Sequence, residues 1–95
     1  MISPQTVVRI LLLAGPQFGQ RLAQMSTELG RPMRQGGAAS TIGQLVALGH
    51  VAFDRKEPPE GRGQGRQFYR LTVLGRKAAL GEVKMLRALV KTVGT

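Results

Sequence analysis

The 95-residue sequence contains no cysteine and no tryptophan, and only one histidine, one tyrosine and three phenylalanines. Without cysteine there is no disulfide framework, no thiolate nucleophile and no cysteine-bound zinc, so we expect a protein of the reducing cytoplasm. The single histidine, His50, follows a glycine that suits a helix end. That position favours packing in a turn over metal binding or proton transfer.

Acidic residues are also scarce: five Asp and Glu stand against fourteen Lys and Arg, a formal net charge of +9. The sequence shows no pair of carboxylates, no nucleophile with a base and no cluster of ligands, so we expect no enzyme, metal or cofactor. The cations run from Arg9 to Lys91. A charge spread in this way favours a polyanionic partner, nucleic acid before an anionic membrane.

Long hydrophobic runs are missing too. The apolar run 7–14 is short and is interrupted by Arg9, so we predict neither a signal peptide nor a membrane span. A chain of this length forms one domain with a thin core, and its 42 % hydrophobic content makes oligomerisation a reasonable expectation.

Helical periodicity predicts two helices in the first third of the chain. Ser3 and Pro4 are typical of a helix start, and Gly15-Pro16 ends the apolar pattern that follows. A one-faced helix then runs from about Gln17 to Gly30.

A third helix, over about 38–48, has a narrow apolar stripe, and Gly49 suits its left-handed cap. On its other side we expect Ser40, Thr41 and Gln44. Short side chains let a helix approach the major groove closely, and glutamine offers a paired donor and acceptor to adenine, so these three are the candidate base contacts.

The next segments predict a hairpin. Val51 and Phe53 alternate with polar neighbours, and residues 66–71 form the return strand after a loop rich in Gly and Pro. We expect Phe53, Tyr69 and Leu71 in the core with Phe18, and a hydrogen bond for the tyrosine hydroxyl.

Thr72 supplies a cap for a last helix over about 73–93. Its apolar positions form a heptad-like seam, which predicts a dimer interface made by Ala79, Val83, Leu86, Val90 and Val93. Packing of the seam within the protomer is the alternative. We therefore divide the chain into a DNA-binding part, 1–72, and a dimerisation helix, 73–95, within one structural unit.

Three motifs in register carry a resemblance: Gly-Pro-Gln-Phe-Gly at 15–19, Ile-Gly-Gln-Leu-Val-Ala-Leu-Gly-His-Val at 42–51, and Gly-Arg-Gln-Phe-Tyr-Arg-Leu-Thr at 65–72 with Gly75-Arg76. With them the chain resembles the PadR family of bacterial transcriptional regulators over roughly residues 5–90. The resemblance implies a mainly α fold with a small β-hairpin (α+β), a winged helix-turn-helix with a C-terminal dimerisation helix. It also implies a homodimer on operator DNA, with the first helix alongside the C-terminal one.

Cations around the third helix and in the hairpin are candidates for contacts with the DNA backbone or minor groove. They are Arg31, Arg34 and Gln35 before the helix, and Arg55, Lys56, Arg62, Gln64 and Arg66 in the hairpin. A solvated loop whose cations only aid solubility is the alternative for the hairpin tip.

The sequence predicts a cytoplasmic, nucleoid-associated transcriptional regulator. We expect it to bind double-stranded operator DNA sequence-specifically and to repress transcription. Two alternatives stay open: a nucleic-acid binder without sequence preference, and a protein-interaction adaptor. With no tryptophan and few other aromatics, an aromatic-lined effector pocket would be poor, and the existence of a small-molecule effector is left open.

Overall fold

The computed structural model describes residues 2–58 and 65–94. Within them lie four α-helices and one three-stranded antiparallel sheet, so the fold is α+β as predicted. The helices are α1 (Pro4–Leu11), α2 (Gly19–Glu28), α3 (Gly37–Ala47) and α4 (Val73–Val93); the strands are β1 (Gln17–Phe18), β2 (Val51–Glu57) and β3 (Arg66–Leu71). A 3-10 turn, Leu12–Ala14, continues α1. None of the described helices combines the length and apolarity that a membrane span requires.

The helix boundaries follow local signals in the sequence. The Ser3 side chain accepts a hydrogen bond from the Thr6 amide with Pro4 in the first turn, and the Thr72 side chain accepts one from the Gly75 amide. Both predicted N-caps are therefore confirmed. The predicted span of α4 is confirmed as well.

Glycines end α2 and α3 in the left-handed conformation, as predicted. Gly30 has φ 77° and Gly49 has φ 75°. After each, the chain turns back: the Arg31 amide donates to the Ser26 carbonyl at 2.9 Å, and the His50 amide donates to the Leu45 carbonyl at 2.9 Å. A hydrogen bond of this kind, from the residue after the left-handed glycine back to the last turn of the helix, is characteristic of the Schellman motif.

The sheet has one strand more than the predicted hairpin. Gln17 pairs with Tyr69 and Phe18 with Phe68, so the strand order is β1-β3-β2. The prediction that α2 begins near Gln17 was wrong, because the Phe18 ring packs edge-on against Phe68 at 5.2 Å and keeps this dipeptide extended. The helix starts two residues later, at Gly19.

The hairpin itself is irregular. Phe53 lies opposite Tyr69 and Arg55 opposite Phe68, which leaves Asp54 as an extra residue in a β-bulge. Phe53 is exposed, so its predicted place in the core was wrong: its ring contacts Tyr69 but extends beyond the core cluster. Phe68, on the opposite face of β3 from Tyr69, is the aromatic residue that is buried.

The core lies between the first three helices and one face of the sheet. Its buried members are Val8, Leu12, Leu22, Ile42, Leu45 and Val51. Tyr69 and Leu71 pack against it, as predicted, and the Tyr69 hydroxyl donates to Gln67 Oε1 at 3.0 Å. Removing these apolar side chains from water supplies the main favourable term in folding.

One residue of the predicted dimer interface is instead buried within the protomer. It lies in the first half of α4, which packs on α1. Ala79 is completely buried within the protomer, so it does not lie on a surface open to a second copy. Arg9 of α1 and Glu82 of α4 form a shielded ion pair at 2.6 Å in the same contact. Beyond Glu82 the helix emerges from the domain, and Val90 and Val93 are exposed.

Candidate nucleic-acid interface

Much of the outward face of α3 is made of small side chains, with the exposed Val46 at its flank. Ser40, Gly43 and Ala47 recur at helical spacing and are all exposed, and Gln44 is exposed beside them. Nothing lies within 4 Å of the position that a Cβ on Gly43 would occupy. A helix with so low a profile can approach another surface closely along its axis.

Thr41 does not belong to that face, although the sequence suggested that it does. It is only 7 % exposed, and its hydroxyl donates to the Gly37 carbonyl at 2.8 Å. The reason is its place on the helix, next to Ile42 and four residues before Leu45, both buried in the core. The hydroxyl is already used inside the helix, so Thr41 is not placed for base contact.

Gln44 is held from a neighbouring helix. The Gln5 side-chain amide donates to Gln44 Oε1 at 2.8 Å, a contact across 39 residues of sequence. With that acceptor engaged, Gln44 presents its amide nitrogen, a double donor, to an approaching ligand. Sequence reasoning missed Gln5, because only the packing of α1 against α3 brings the two side chains together.

The turn between α2 and α3 has a fixed backbone and free cations. The Ser26 hydroxyl donates to the Arg31 carbonyl, and the Gly37 amide donates to the Arg34 carbonyl at 2.7 Å. Gly36, with φ 78°, makes the sharp entry into α3. The side chains of Arg31 and Arg34 are exposed and have no carboxylate partner in the described parts of the chain, and Gln35 is exposed between them.

In the hairpin, arginines lie over aromatic rings. The Arg55 guanidinium is 4.2 Å from the centre of the Phe68 ring, and that of Arg66 is 4.9 Å from the centre of Phe18. Such cation–π contacts hold the charges at the base of the hairpin. Lys56 is exposed on the same strand as Arg55, while the predicted contacts Arg62 and Gln64 lie outside the described residues.

Among the described cations of the hairpin, Arg55 forms the most ion pairs with carboxylates. It bonds Asp54 at 2.8 Å and Glu57 at 3.1 Å, and these hydrogen bonds, that of Asp54 first, raise the pKa of its guanidinium. A phosphate would compete with two carboxylates for it. We therefore expect Arg55 to contribute less to anion binding than Arg31, Arg34 or Arg66.

The hairpin base also depends on a glycine. A Cβ on Gly65 would lie 2.7 Å from the Glu57 carbonyl oxygen, closer than real Cβ atoms approach. The two strands therefore pair tightly just before the tip, which places Arg66 beside the described end of β2.

A separate apolar surface lies between α1 and α4. Ile10 of α1 and Val83, Leu86 and Val90 of α4 line an open groove of about 460 Å³, with Arg87 and Lys91 at its edge. This groove contains four of the apolar side chains that a second copy of the chain could cover.

The described residues hold no group of three or more His, Asp or Glu that could bind a metal ion.

Comparison with solved structures places this arrangement among known folds. A PadR family transcription regulator from hypervirulent Clostridium difficile R20291 aligns with a TM-score of 0.79 at 14 % identity, over 96 % of this chain and 94 % of that one. Bacillus subtilis PadR, in a complex with operator DNA, aligns with a TM-score of 0.71 at 20 % identity over 83 % of this chain. Adhesin competence repressor (AdcR) from Streptococcus pyogenes aligns with a TM-score of 0.77 at 17 % identity over 99 % of this chain.

These likenesses show that the chain has the PadR-like winged-helix fold. The chain spans 45 % of the length of the Bacillus subtilis protein and 63 % of that of the streptococcal repressor. No protein-family model matches the sequence. No curated protein matches it significantly either.

Proposed function

We propose that this chain, with its PadR-like winged-helix fold, is a homodimeric repressor that binds specific operator DNA on the nucleoid. One observation carries the proposal: the small outward face of α3 lies next to a fixed turn whose arginines have no carboxylate partner within the described residues. A duplex requires both features, because a helix in the major groove must approach closely while cations bind the flanking phosphates.

In this arrangement α3 lies in the major groove. Ser40 and the amide nitrogen of Gln44 contact base edges, and the guanine and thymine oxygens are acceptors that a donating Gln44 prefers. Arg31, Arg34 and Gln35 contact phosphates and set the orientation, while Arg66 and Lys56 place the hairpin on the backbone or in the minor groove. The Bacillus subtilis structure with operator DNA supports DNA as the partner of this fold.

The dimer forms through the groove between α1 and α4. Val83, Leu86, Val90 and Val93 of one protomer pack against the same helix of its partner, with Ile10 alongside. The exposure of Val90 and Val93, the open groove lined by Ile10, Val83 and Leu86, and the thin core of a 95-residue chain support this pairing. A two-fold dimer presents two α3 helices to half-sites about one helical turn apart.

Selection of bound sequences from a random duplex library tests the proposal. We expect a pseudo-palindromic site, and we expect Gln44→Ala to weaken that site by roughly 1–3 kcal/mol while leaving random DNA unaffected. Gln24→Ala, an exposed glutamine on α2, is the matched control.

The other outcomes separate the alternatives. Equal enrichment of all sequences, with no effect of Gln44→Ala, would support a binder without sequence preference. No duplex binding at physiological salt, together with capture of an acidic protein, would support an adaptor. Repression is tested separately, by the effect of the protein on transcription from a promoter that contains the selected site.

A further inference from the structure

A second cavity, which we call the turn cavity, lies where the start of α1, the end of α2 and the α2–α3 turn meet. Its volume is about 530 Å³. Small-molecule sites in proteins commonly measure roughly 300–1,000 Å³. Its apolar wall is made by Ile2, Pro4, Val7, Pro32 and Met33.

The charged residues that line the turn cavity are all positive among the described residues. Arg31 and Arg34 line it, and Ser40 lies at its α3 edge. Neither arginine forms an ion pair with a described carboxylate, and no described acidic residue lines the cavity. The wall is aliphatic, without an aromatic ring among the described lining residues. Two unmatched guanidinium groups above an aliphatic pocket complement a ligand with an anionic head and a flexible hydrocarbon body.

We propose that the turn cavity binds a small amphipathic carboxylate, whose chain packs against the aliphatic wall while its carboxylate binds Arg31 and Arg34. The second part of the inference rests on the proposed function. Because Arg31, Arg34 and Ser40 also belong to the proposed DNA surface, a bound carboxylate and an operator phosphate compete for the same groups. Ligand binding therefore releases the protein from DNA.

Decanoate is the probe that tests this proposal, and decan-1-ol is its uncharged counterpart. Each is titrated into the full chain without DNA, and binding is followed by isothermal titration calorimetry and amide NMR. We expect decanoate to bind and to shift the amides of residues 31–41. We expect decan-1-ol to bind at least about tenfold more weakly, because it cannot form the charge-assisted bonds.

Two variants locate the site. Ile2→Glu places a negative charge in the apolar wall, at a residue that is not part of a helix. The double variant Arg31→Gln with Arg34→Gln removes both cations. Each of the two is expected to weaken decanoate binding by about tenfold. Arg76→Gln with Lys77→Gln, a double variant on exposed positions of α4 outside both cavities, is the control of equal charge and is expected to bind decanoate normally.

Several results would overturn the proposal. These are no binding of decanoate, equal binding of decan-1-ol, unchanged binding in both cavity variants, or NMR shifts confined to the groove lined by Ile10 and Val83.

A second experiment tests competition with DNA. Decanoate is added to the complex with the selected operator and is expected to lower the affinity of the protein for that operator. If decanoate binds the free protein but no duplex does, the cavity stands and the proposed function fails; if operator affinity is unchanged, competition fails alone.

Discussion

At the scale of single residues, Gly75 shows how closely two elements approach. A Cβ there would lie 1.8 Å from the His50 carbonyl oxygen, which is backbone and cannot rotate away. The His50 carbonyl also accepts the Thr72 amide at 3.0 Å, and the Thr72 hydroxyl donates to the Gly49 carbonyl at 2.5 Å. The start of α4 is thus attached to the end of α3 by contacts that only a glycine permits.

We predict that Gly75→Ala destabilises the protein by about 3 kcal/mol, because the added methyl group forces α4 away from the turn after α3. Gly81→Ala on the same helix is the control: nothing lies within 4 Å of that position, and it should stabilise by roughly 0.5–1 kcal/mol. Urea denaturation followed by far-UV circular dichroism measures both. Equal effects of the two substitutions would contradict the contact.

At the scale of elements, the pairing of α1 with α4 connects the candidate DNA surface to the candidate dimer surface. Glu82 accepts hydrogen bonds from Arg9 and from the Thr6 hydroxyl, and the Arg9 Nη1 lies 3.3 Å from His50 Nδ1. The cluster therefore joins α1, α4 and the turn after α3. Its members come from positions as far as 76 residues apart in sequence.

Glu82→Gln is predicted to cost about 3 kcal/mol, because it leaves the buried Arg9 guanidinium without a counter-charge. Glu28→Gln is the control. Glu28 is 59 % exposed and 3.4 Å from Arg21, whereas Glu82 is 19 % exposed. Exposed pairs contribute roughly 0–1 kcal/mol, so Glu28→Gln should change the free energy of unfolding little.

The same pair predicts an acid dependence of stability. The hydrogen bond from Arg9, more than any other contact, lowers the pKa of the Glu82 carboxyl below its ordinary value of 4.5. A lowered folded-state pKa gives stability that is present above pH 4.5 and is lost as the pH falls through the folded-state value. Unfolding free energies measured below pH 5 should therefore fall less steeply in Glu82→Gln than in the native chain; parallel slopes would contradict this.

At the scale of the whole molecule, the chain is elongated, 51 × 27 × 19 Å, because the second half of α4 extends from the domain. The charge of +9 is spread along this shape, and the apolar side chains of the exposed half face outward. An isolated helix end of this kind gains little from its own hydrogen bonds in water. Pairing with a second copy would bury it and would set the distance between two α3 helices.

Val90→Glu is predicted to shift the protein toward monomer and to weaken operator binding, because it places a charge in the groove between α1 and α4. Val90 is 71 % exposed, so the monomer itself should remain folded. Val73→Glu, at a position that is 89 % exposed and outside that groove, is the control of equal charge. Sedimentation velocity measures the oligomer, and a dimer that is unaffected by Val90→Glu would contradict the predicted interface.

Features that depend on neighbouring residues could be predicted from the sequence. Ser3, Thr72, Gly30 and Gly49 end or begin helices through bonds to residues close in sequence, and the order of helices and strands follows from their periodicity. These signals are local, since each needs only a side chain and a few adjacent backbone groups. The α+β fold and the exposed face of α3 around Ser40 followed from them.

Features that depend on distant residues were decided only by the tertiary structure. Gln17 pairs with β3 as a strand residue, packing of α4 on the domain buries Ala79, and packing of α3 on the core buries Thr41. The hydrogen bond from Gln5 to Gln44 joins two helices that no periodicity relates. The sequence by itself determined which segments are helices and that the molecule is basic. Packing decided which side of each helix stays exposed, because burial depends on where other elements come to lie.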